Sequence, residues 1–461
     1  MFRYSHQKSG LLILALVALV LIYLSPYNNI STTTSTTPAP RIPKVANPET
    51  EKLEVTLDEI NGYRENVNCP NLVDLDSRDN STYEKAKNWT FNDKEFFDSF
   101  ATKPNICQEI TRKFSFVTEP MSQEESEFPL AYSLLVHSNG VQVLFELSAI
   151  YQPQNQFCVA VDERANDEFK KLMFQIGECF PNVFVMIVPK VEWCRFSVLQ
   201  GVYSCVKHLA RLKADWKYHQ YLSGVSLPLK TNLEMVRILK KLNGSFNSEI
   251  SDLPAERYNP NASSPLPLWK SSLSATFSRE SANYMVNHPK VQELYEYLKG
   301  AHCPDESFWT TVAGNPADIQ MPGGFNATLF KMKLSGDWDK QFATNKTKLL
   351  SKETRFGLFE PEGYYISRYQ VWATAWSNRC SGRFVAESCV FGVGDLPVLV
   401  KRPELIAHKF YYDTQPAAYF CLYEHVRRRA LKAETNFSVD AYGELPGPKL
   451  MAGTPIEDIE F

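Results

Sequence analysis

The chain has 461 residues with a net charge of −3, and 44% of them are hydrophobic and 13% aromatic. This weakly acidic balance gives no indication of nucleic acid binding. The apolar content is sufficient for a large core, and a globular part of about 350 residues forms one large domain or two closely joined ones.

A short apolar segment near the N-terminus predicts a membrane anchor. It reads GLLILALVALVLIYL over residues 10–24 and follows Arg3, His6 and Lys8. A basic leader of this kind favours a cytosolic N-terminus, with the rest of the chain translocated. A cleaved signal peptide is the alternative, but a small-x-small cleavage site is missing. Short anchors are typical of the thinner membranes of the secretory pathway, and we therefore expect a Golgi membrane protein with a single anchor and a lumenal domain.

The segment after the anchor is rich in Ser, Thr and Pro, and it is predicted to be a stem that does not pack. The expected organisation, in chain order, is a cytoplasmic tail over 1–9, a signal anchor over 10–27, a stem over 28–68, a lumenal domain over 69–430 and a C-terminal tail over 431–461.

From about Glu127 the sequence alternates between predicted strands and predicted helices. Near-continuous apolar runs predict strands that are buried on both faces. The first predicted strand, over 129–137, is such a run, and three further strands are predicted over 156–162, 183–188 and 218–222. Each precedes a helical stripe of apolar residues, and the four stripes include Leu147, Met173, Val202 and Leu239; Asn166 is expected to cap the second helix. After Glu249 the order is looser, with a helix near 289–298 and a helix start at Pro304.

This alternation predicts an α/β fold with a mostly parallel sheet and helices on both faces. Ligands on such sheets bind beyond the carboxyl ends of the strands, which places His137, Asp162 and the loop 223–226 near a nucleotide. Neither GxGxxG nor GxxxxGKS is present, so the dinucleotide fingerprint and the P-loop do not apply.

The segment Cys303-Pro304-Asp305-Glu306 is the most suggestive local site. Pro304 fits the first position of a helix, which puts both acids in its first turn. One interpretation is that they complement the helix dipole, and on local sequence alone it is favoured. The other is a carboxylate base at a domain edge. A glycosidase pair is disfavoured, because adjacent helical residues do not face one substrate.

No metal site is expected. Two Asp-x-Asp triplets, at Asp74–Asp76 and Asp337–Asp339, are interpreted as solvated turns, and no carboxylate follows the fourth strand. A diphosphate leaving group would then need fixed cations. A cluster that could supply them, or that is simply a solvated basic face, consists of Lys401, Arg402, His408 and Lys409.

Cysteines and sequons agree with a translocated domain. The ten cysteines are an even number without CxxC spacing, which favours disulfides over zinc and leaves their connectivity open. Eight Asn-x-Ser/Thr sequons mark expected surface positions, at Asn29, Asn80, Asn88, Asn243, Asn261, Asn326, Asn345 and Asn436.

Eight segments together carry a family resemblance: YSLLVH, AIYQPQN, FCVAVD, CFPNVFV, DWKYHQYLSG, LPLKTNLEMVR, CPDESFW and CVFGVGDL. In this order and spacing they resemble the core-2/I-branching β-1,6-N-acetylglucosaminyltransferases. The resemblance runs from about Cys107 to His425, roughly two thirds of the chain. It implies a divergent member with a GT-A-like fold that performs an inverting, metal-independent sugar transfer.

The resemblance also implies roles for single residues. Glu306 would deprotonate the acceptor's primary 6-hydroxyl, Asp162 would contact the uridine of UDP, and Lys409 would bind the diphosphate. The acceptor-binding positions correspond to Glu249, Arg257 (a lysine in the family) and Trp372. The implied disulfides are Cys69–Cys421, Cys107–Cys179, Cys158–Cys205 and Cys380–Cys389; Cys194 and Cys303 fall outside this set and either pair with each other or stay free.

Some positions depart from the family pattern. Ala386 stands where the family has a second diphosphate-binding arginine, so either Arg383 or Arg402 supplies the charge or the donor is held differently. Thr374 stands in place of an acceptor-site tyrosine. These departures leave the general reaction in place but open the choice of donor sugar and acceptor.

The sequence thus predicts a type II Golgi glycosyltransferase. It would add a β-1,6-linked sugar from a UDP donor, by default UDP-GlcNAc with UDP-glucose as an option, to O-glycan cores such as Galβ1,3GalNAc on glycoproteins. An O-xylosyltransferase-like relative is disfavoured, because those chains carry a further C-terminal domain. A non-catalytic, membrane-tethered glycan-binding protein is the alternative from another class, supported by Ala386. A homodimer formed through the stem is an option that rests on analogy alone.

Overall fold

A computed structural model of the chain describes residues 48–76, 79–336, 363–373, 380–432 and 437–460, and all of them belong to one compact unit. The strands are β1 (Leu130–Val136), β2 (Gln156–Asp162), β3 (Val183–Val188), β4 (Tyr218–Ser223), β5 (Ser226–Pro228), β6 (Ser251–Asp252), β7 (Trp269–Lys270), β8 (Phe277–Ser278), β9 (Arg383–Val385), β10 (Ser388–Val390) and β11 (Ile406–His408).

Helices before the fourth strand are α1 (Pro48–Asp58), α2 (Tyr63–Asn66), α3 (Cys69–Val73), α4 (Asn80–Asn88), α5 (Asp93–Ala101), α6 (Ile106–Lys113), α7 (Gln123–Ser126), α8 (Gly140–Ile150), α9 (Asp167–Cys179) and α10 (Phe196–Arg211). Those after it are α11 (Asn232–Lys241), α12 (Arg279–Asn287), α13 (Pro289–Tyr297), α14 (Phe308–Ala313), α15 (Ala327–Ser335), α16 (Leu396–Leu399), α17 (Pro416–Lys432), α18 (Asp440–Gly443) and α19 (Pro446–Met451). Short 3₁₀ turns cover Ala255–Arg257, Leu298–Gly300, Pro304–Glu306, Val393–Asp395 and Ile456–Asp458.

The central sheet has five strands in the order β3-β2-β1-β4-β8. The first four are parallel and β8 is antiparallel to β4, so the prediction of a mixed α/β fold with a mostly parallel sheet is confirmed. All four strands and the helices that follow them lie where the apolar runs predict. The predicted cap of α9 is also present, since Asn166 Oδ1 accepts a hydrogen bond from the Phe169 amide at 2.7 Å.

Helices cover both faces of this sheet. Successive side chains of a strand point to opposite faces, so each strand contributes residues to two cores. Tyr132 and Val159 point into one core, which α8, α9 and α17 complete. Ala131 and Cys158 point into the other core, which α10, α12 and α14 complete. β1 and β2 are buried along nearly their whole length and therefore have apolar residues at nearly every position. The edge strand β3 leaves Phe184 and Ile187 exposed, and β4 buries the polar His219 and Gln220.

The parallel register brings the carboxyl ends of three strands to one edge of the sheet. Val136 is paired with Val161, and Leu135 with Ser223. His137, Asp162 and Ser223 therefore lie at the same edge, where the order of the strands reverses between β1 and β4. That edge is where ligands bind in open α/β sheets.

The ends of the compact unit differ from the predicted boundaries. Residues 48–68 were expected to belong to an unpacked stem, yet they form α1 and α2, with Leu53, Leu57 and Tyr63 buried in the core. The first helix packs because Leu53 and Leu57 are four residues apart and therefore lie on one face. The predicted C-terminal tail also packs in part: Tyr442 is buried and donates a hydrogen bond to the Pro403 carbonyl at 2.7 Å.

The predicted anchor over 10–27 lies outside the described residues. Within the ranges that the structure describes, no helix has the length and apolar character needed to cross a bilayer.

Five disulfides are present, and four of them are the pairs that the resemblance implied: Cys69–Cys421, Cys107–Cys179, Cys158–Cys205 and Cys380–Cys389. The fifth joins Cys194 and Cys303, whose pairing the sequence does not determine. Five sequon asparagines are described and all are exposed, namely Asn80, Asn88, Asn243, Asn261 and Asn326. The sequons at Asn29, Asn345 and Asn436 lie outside the described residues.

Candidate active site

Glu306 lies on a short turn instead of the predicted helix start. Pro304–Glu306 is a single 3₁₀ turn, and α14 begins only at Phe308. Ser307 interrupts the run with φ −126° and ψ −13°, which is not helical. A three-residue turn has little macrodipole to complement. The interpretation that Asp305 and Glu306 complement a helix dipole is therefore weakened.

Two cations hold the Glu306 carboxylate. Arg257 Nη1 donates a hydrogen bond to Glu306 Oε2, and Lys270 Nζ lies 3.8 Å from the same oxygen. About a quarter of the Glu306 side chain remains exposed, at 26%. The carboxylate is therefore fixed in direction and open to solvent, as a base that receives a proton from a bound hydroxyl requires. Arg257, predicted to bind acceptor, contacts the predicted base directly.

Asp305, the neighbouring acid, is in a different environment. It is buried, and its Oδ1 has no hydrogen-bond partner in the structure. Burial, with a smaller contribution from the Glu306 charge, raises the pKa of Asp305 to about 7. The two adjacent carboxyls are therefore distinct: one is open and paired with cations, and the other is enclosed.

The Cys194–Cys303 disulfide ties the Glu306 segment to the loop after β3. Besides the covalent bond, the Cys303 amide donates to the Cys194 carbonyl at 3.2 Å. The same loop contains Val191, whose amide donates to Asp162 Oδ2 at 3.2 Å. The tether thus connects the predicted base with the residue predicted to contact uridine.

Asp162 is buried at the end of β2, and its acceptor capacity is fully used. Oδ1 accepts from the Arg164 amide at 2.8 Å and from Arg164 Nε at 3.3 Å. Oδ2 accepts from Arg164 Nη2 at 2.9 Å as well as from Val191. Burial alone would raise the pKa of Asp162, but these hydrogen bonds lower it. A carboxylate has about four acceptor positions, so uridine can contact Asp162 only if the half-exposed Arg164 gives up one of them.

The other donor-site residues lie beside this edge or near it. His137 is exposed and directly follows β1. His408 Nδ1 lies 3.1 Å from Ser223 Oγ and 3.3 Å from Ser226 Oγ, so the loop 223–226 contacts β11. Lys409, the next residue, is buried, and its Nζ donates to the Val385 carbonyl at 3.0 Å.

Ala386 follows Val385 in the turn between β9 and β10 and is exposed, with φ 47°. The two arginines predicted to replace the missing charge are engaged elsewhere. Arg402 donates to Glu404 at 2.9 and 2.5 Å, and its guanidinium stacks 4.4 Å from the Tyr369 ring. Arg383 donates to Asp413 at 2.7 Å and to Thr414 at 2.8 Å.

Arg368 was not predicted, although it lies between the two halves of the site. Its Nη2 donates to Ser272 Oγ at 2.8 Å. The adjacent Ser271 amide donates to the Glu306 carbonyl at 2.6 Å. Burial and then the Arg368 charge lower the pKa of Lys409. No local sequence signal marks Arg368, because its neighbours in space come from distant parts of the chain.

The remaining predicted residues are less closely connected. The Glu249 carbonyl accepts from Thr310 Oγ1 at 2.6 Å. Trp372 is 40% exposed, and its backbone pairs with that of Ser388 of β10 in an isolated antiparallel β-bridge. Lys401 lies two residues after α16 and is partly exposed. Asp74 and Asp76 form an exposed turn, in agreement with the prediction, whereas Thr374, Asp337 and Asp339 lie outside the described residues.

Comparison with known proteins identifies the family. The family model described as "Core-2/I-Branching enzyme" matches residues 130–356. A human β-1,3-galactosyl-O-glycosyl-glycoprotein β-1,6-N-acetylglucosaminyltransferase is 30% identical over 371 residues, covering 76% of this chain and 80% of that one. The chain belongs to the core-2/I-branching enzyme family. The resemblance inferred from the eight sequence segments is thereby confirmed.

Other relatives show the same relationship. A mouse N-acetyllactosaminide β-1,6-N-acetylglucosaminyl-transferase is 30% identical over 354 residues, covering 71% of this chain and 80% of that one. Among solved structures, the mannosyltransferase Ktr4p of S. cerevisiae in complex with GDP aligns over 57% of this chain and 70% of that one, with 12% identity and a TM-score of 0.18.

Proposed function

We propose that this protein is an inverting, metal-independent β-1,6-glycosyltransferase of the Golgi membrane, with a GT-A-like fold. UDP-GlcNAc is the proposed donor, and O-glycan cores such as Galβ1,3GalNAc are the proposed acceptors. Family membership supports the reaction class. The observation that carries the proposal is the partly exposed Glu306 carboxylate, held by Arg257 and tethered to the loop that contacts Asp162.

The proposed chemistry is an in-line displacement. Glu306 accepts the proton of the acceptor's 6-hydroxyl, and the hydroxyl oxygen attacks the anomeric carbon of the donor sugar. The bond from this carbon to the diphosphate breaks, and its electron pair leaves with UDP. Attack from the opposite face inverts the configuration. Arg257 and Lys270 orient the Glu306 carboxylate before the acceptor binds.

Stabilisation of the leaving diphosphate requires fixed positive charge. The proposed cation is Lys409, which is buried directly after β11. Its position is close to the sheet edge because β11 is hydrogen-bonded to β5, which follows the loop 223–226. In such an arrangement the protein provides the charge that a divalent ion provides in metal-dependent enzymes. We therefore propose that no divalent metal takes part and that UDP is held by side chains.

The test is a transfer assay with the full-length protein in detergent, an aryl Galβ1,3GalNAc acceptor and a panel of UDP-sugars. Each reaction is run with EDTA and with added Mn²⁺. Turnover of one UDP-sugar that is equal under both conditions is expected. Turnover only with Mn²⁺ would contradict metal independence. Acceptor binding without turnover of any donor would instead support the non-catalytic glycan-binding protein that Ala386 suggests.

A further inference from the structure

The Lys270 ammonium group lies beside the predicted base without a hydrogen bond to it. Its Nζ is 3.8 Å from Glu306 Oε2, which is within ion-pair range but too far for a hydrogen bond. Arg257 already donates a hydrogen bond to that oxygen. Within the part of the chain that the structure describes, Lys270 Nζ donates no hydrogen bond and Glu306 Oε1 accepts none. The three N–H donors of Lys270 and one oxygen of the base are therefore available to a ligand.

Backbone hydrogen bonds fix Lys270 to the segment that carries the base. On one side of Lys270, the Ser271 amide donates to the Glu306 carbonyl at 2.6 Å. On the other side, the Trp269 amide donates to Thr311 Oγ1 of α14 at 3.0 Å. These bonds join β7 both to the Glu306 turn and to the helix that follows it. The ammonium group and the carboxylate are therefore mounted on the same part of the fold.

The pairing of β6 with β7 gives Lys270 no acid as a cross-strand neighbour. Lys270 is directly opposite Ser251, and Asp252 is the next residue of β6. Directly opposite residues share a face, whereas successive residues of a strand alternate between faces. Asp252 therefore lies on the other face, where it forms an ion pair with Lys331. Lys270 and Glu306 are both partly exposed, and because they are this close they open to the same solvent-accessible region.

Two polar groups at this separation match two hydroxyls of one sugar ring. In a galactose-type ring the 4-hydroxyl is axial and its carbon is next to the one that bears C6, so one pair of neighbouring groups can bind the 4- and 6-hydroxyls together. A 6-hydroxyl that donates to Glu306 Oε1 leaves the 4-hydroxyl oxygen as an acceptor for the Lys270 ammonium group. In a glucose-type ring the 4-hydroxyl is equatorial and points in a different direction. Hydrogen bonds from a charged donor are among the stronger ones, so this contact would favour the galactose type.

We propose that Lys270 binds the 4-hydroxyl of the acceptor sugar whose 6-hydroxyl is deprotonated by Glu306, and that it thereby selects acceptors of the galactose type. This inference rests on the proposed function, and it adds to the acceptor site a residue that the family resemblance does not assign. Lys270 forms no covalent bond: the proton of the 6-hydroxyl goes to Glu306, and the ammonium group keeps its own protons. Its hydrogen bond orients the ring so that the 6-hydroxyl lies at Glu306 Oε1.

The test is a transfer assay with the full-length protein in detergent, two acceptors and the donor that the panel of UDP-sugars identifies. One acceptor is aryl Galβ1,3GalNAc, and the other lacks the 4-hydroxyl on the sugar that receives the transfer. Wild-type kcat/KM should be about 10- to 100-fold higher for the complete acceptor, which is the effect expected for one hydrogen bond to a charged group. Lys270→Met keeps an unbranched side chain without the ammonium group, and it should remove most of this preference.

Lys331→Met is the matched control. It removes an ammonium group from the other face of the same pair of strands, so the ratio of the two kcat/KM values should stay at the wild-type value. The melting temperature of each variant reports whether it is folded. If Lys270→Met does not fold, Lys270→Ala serves in its place, with the same expected loss of preference.

The outcomes separate the inference from the function on which it rests. A Lys270→Met variant that loses kcat/KM equally with both acceptors, or loses none, keeps the preference for the 4-hydroxyl and would overturn the inference alone. In the case of equal loss, Lys270 would act only through Glu306. Wild-type protein that uses both acceptors equally well would also overturn the inference and leave the proposed reaction in place. Wild-type protein that transfers sugar to neither acceptor from any UDP-sugar would overturn the proposed function as well.

Discussion

Replacement of Glu306 by glutamine tests the assignment of the base with the least change in shape. Glutamine keeps the length of the side chain and can still accept a hydrogen bond from Arg257 through its amide oxygen. It cannot accept the proton of the acceptor hydroxyl. The variant should therefore bind donor and acceptor while losing most of the chemical step.

The size of the loss follows from the role of the carboxylate. A positioned general base contributes about 10²–10⁴ in rate, which corresponds to about 3–5 kcal/mol at 1.36 kcal/mol for each factor of ten. The change also leaves the Arg257 and Lys270 charges without an anion. Because Glu306 is partly exposed, we expect a stability cost of only about 1 kcal/mol from the lost ion pair. The loss of rate should thus greatly exceed the effect on folding.

The assay is the initial rate of transfer at saturating acceptor, with the melting temperature measured on the same preparations. Asp305→Asn is the matched control, since it changes the adjacent carboxyl, which is buried and cannot reach an acceptor. Its loss of rate should stay below the roughly 10²-fold lower limit for a lost base. A Glu306→Gln variant as active as the wild type, or a larger loss in Asp305→Asn, would refute the assignment.

Three further predictions concern the surroundings of the base. Burial raises the pKa of Asp305 to about 7, so between about pH 4 and 7 the folded protein holds a proton that the unfolded chain releases, and the stability of the wild type should fall as the pH rises through this range. The melting temperature of the wild type relative to that of Asp305→Asn should therefore be higher at pH 5 than at pH 8. A difference that does not change with pH would contradict this prediction. Removal of the disulfide by the double change Cys194→Ala and Cys303→Ala should lower the free energy of unfolding by about 2–4 kcal/mol. Because the Glu306 turn also loses its tether, kcat should fall by about tenfold or more. An unchanged kcat would show that the tether does not position the base. Asp162→Asn should weaken uridine binding, measured by calorimetry, by about tenfold or more, and unchanged affinity would remove Asp162 from the nucleotide site.

The sheet could be predicted from the sequence because β1 and β2 are covered on both sides and are therefore apolar along nearly their whole length. The helix that follows each of the four parallel strands also carries an apolar stripe, so the local pattern contains much of the fold. The boundary of the compact unit could not be read in the same way. The Ser, Thr and Pro content of residues 31–43 indicates an unpacked stem, and this prediction extends too far when it is applied to all of 28–68. Leu53, Leu57 and Ile60 form a helical stripe in the sequence and are buried in the structure.

The site could be predicted only in part, because its charges are settled by partners that are distant in sequence. Arg402 has an acid two residues away, Glu404, and that spacing could have indicated an internal pair. Arg368 has no such signal, since Ser272 becomes its hydrogen-bond partner only in the folded chain. The fifth disulfide was likewise open, because the spacing of cysteines does not determine connectivity.

The most direct test of the account is the structure of the product that the wild-type protein forms from UDP-GlcNAc and Galβ1,3GalNAc, determined by NMR. An inverting transfer to the 6-hydroxyl predicts a new N-acetylglucosamine in the β configuration, attached to a primary 6-oxygen of the acceptor. An α-linked product would contradict inversion with Glu306 as base, and attachment to a secondary oxygen would contradict the proposed acceptor position.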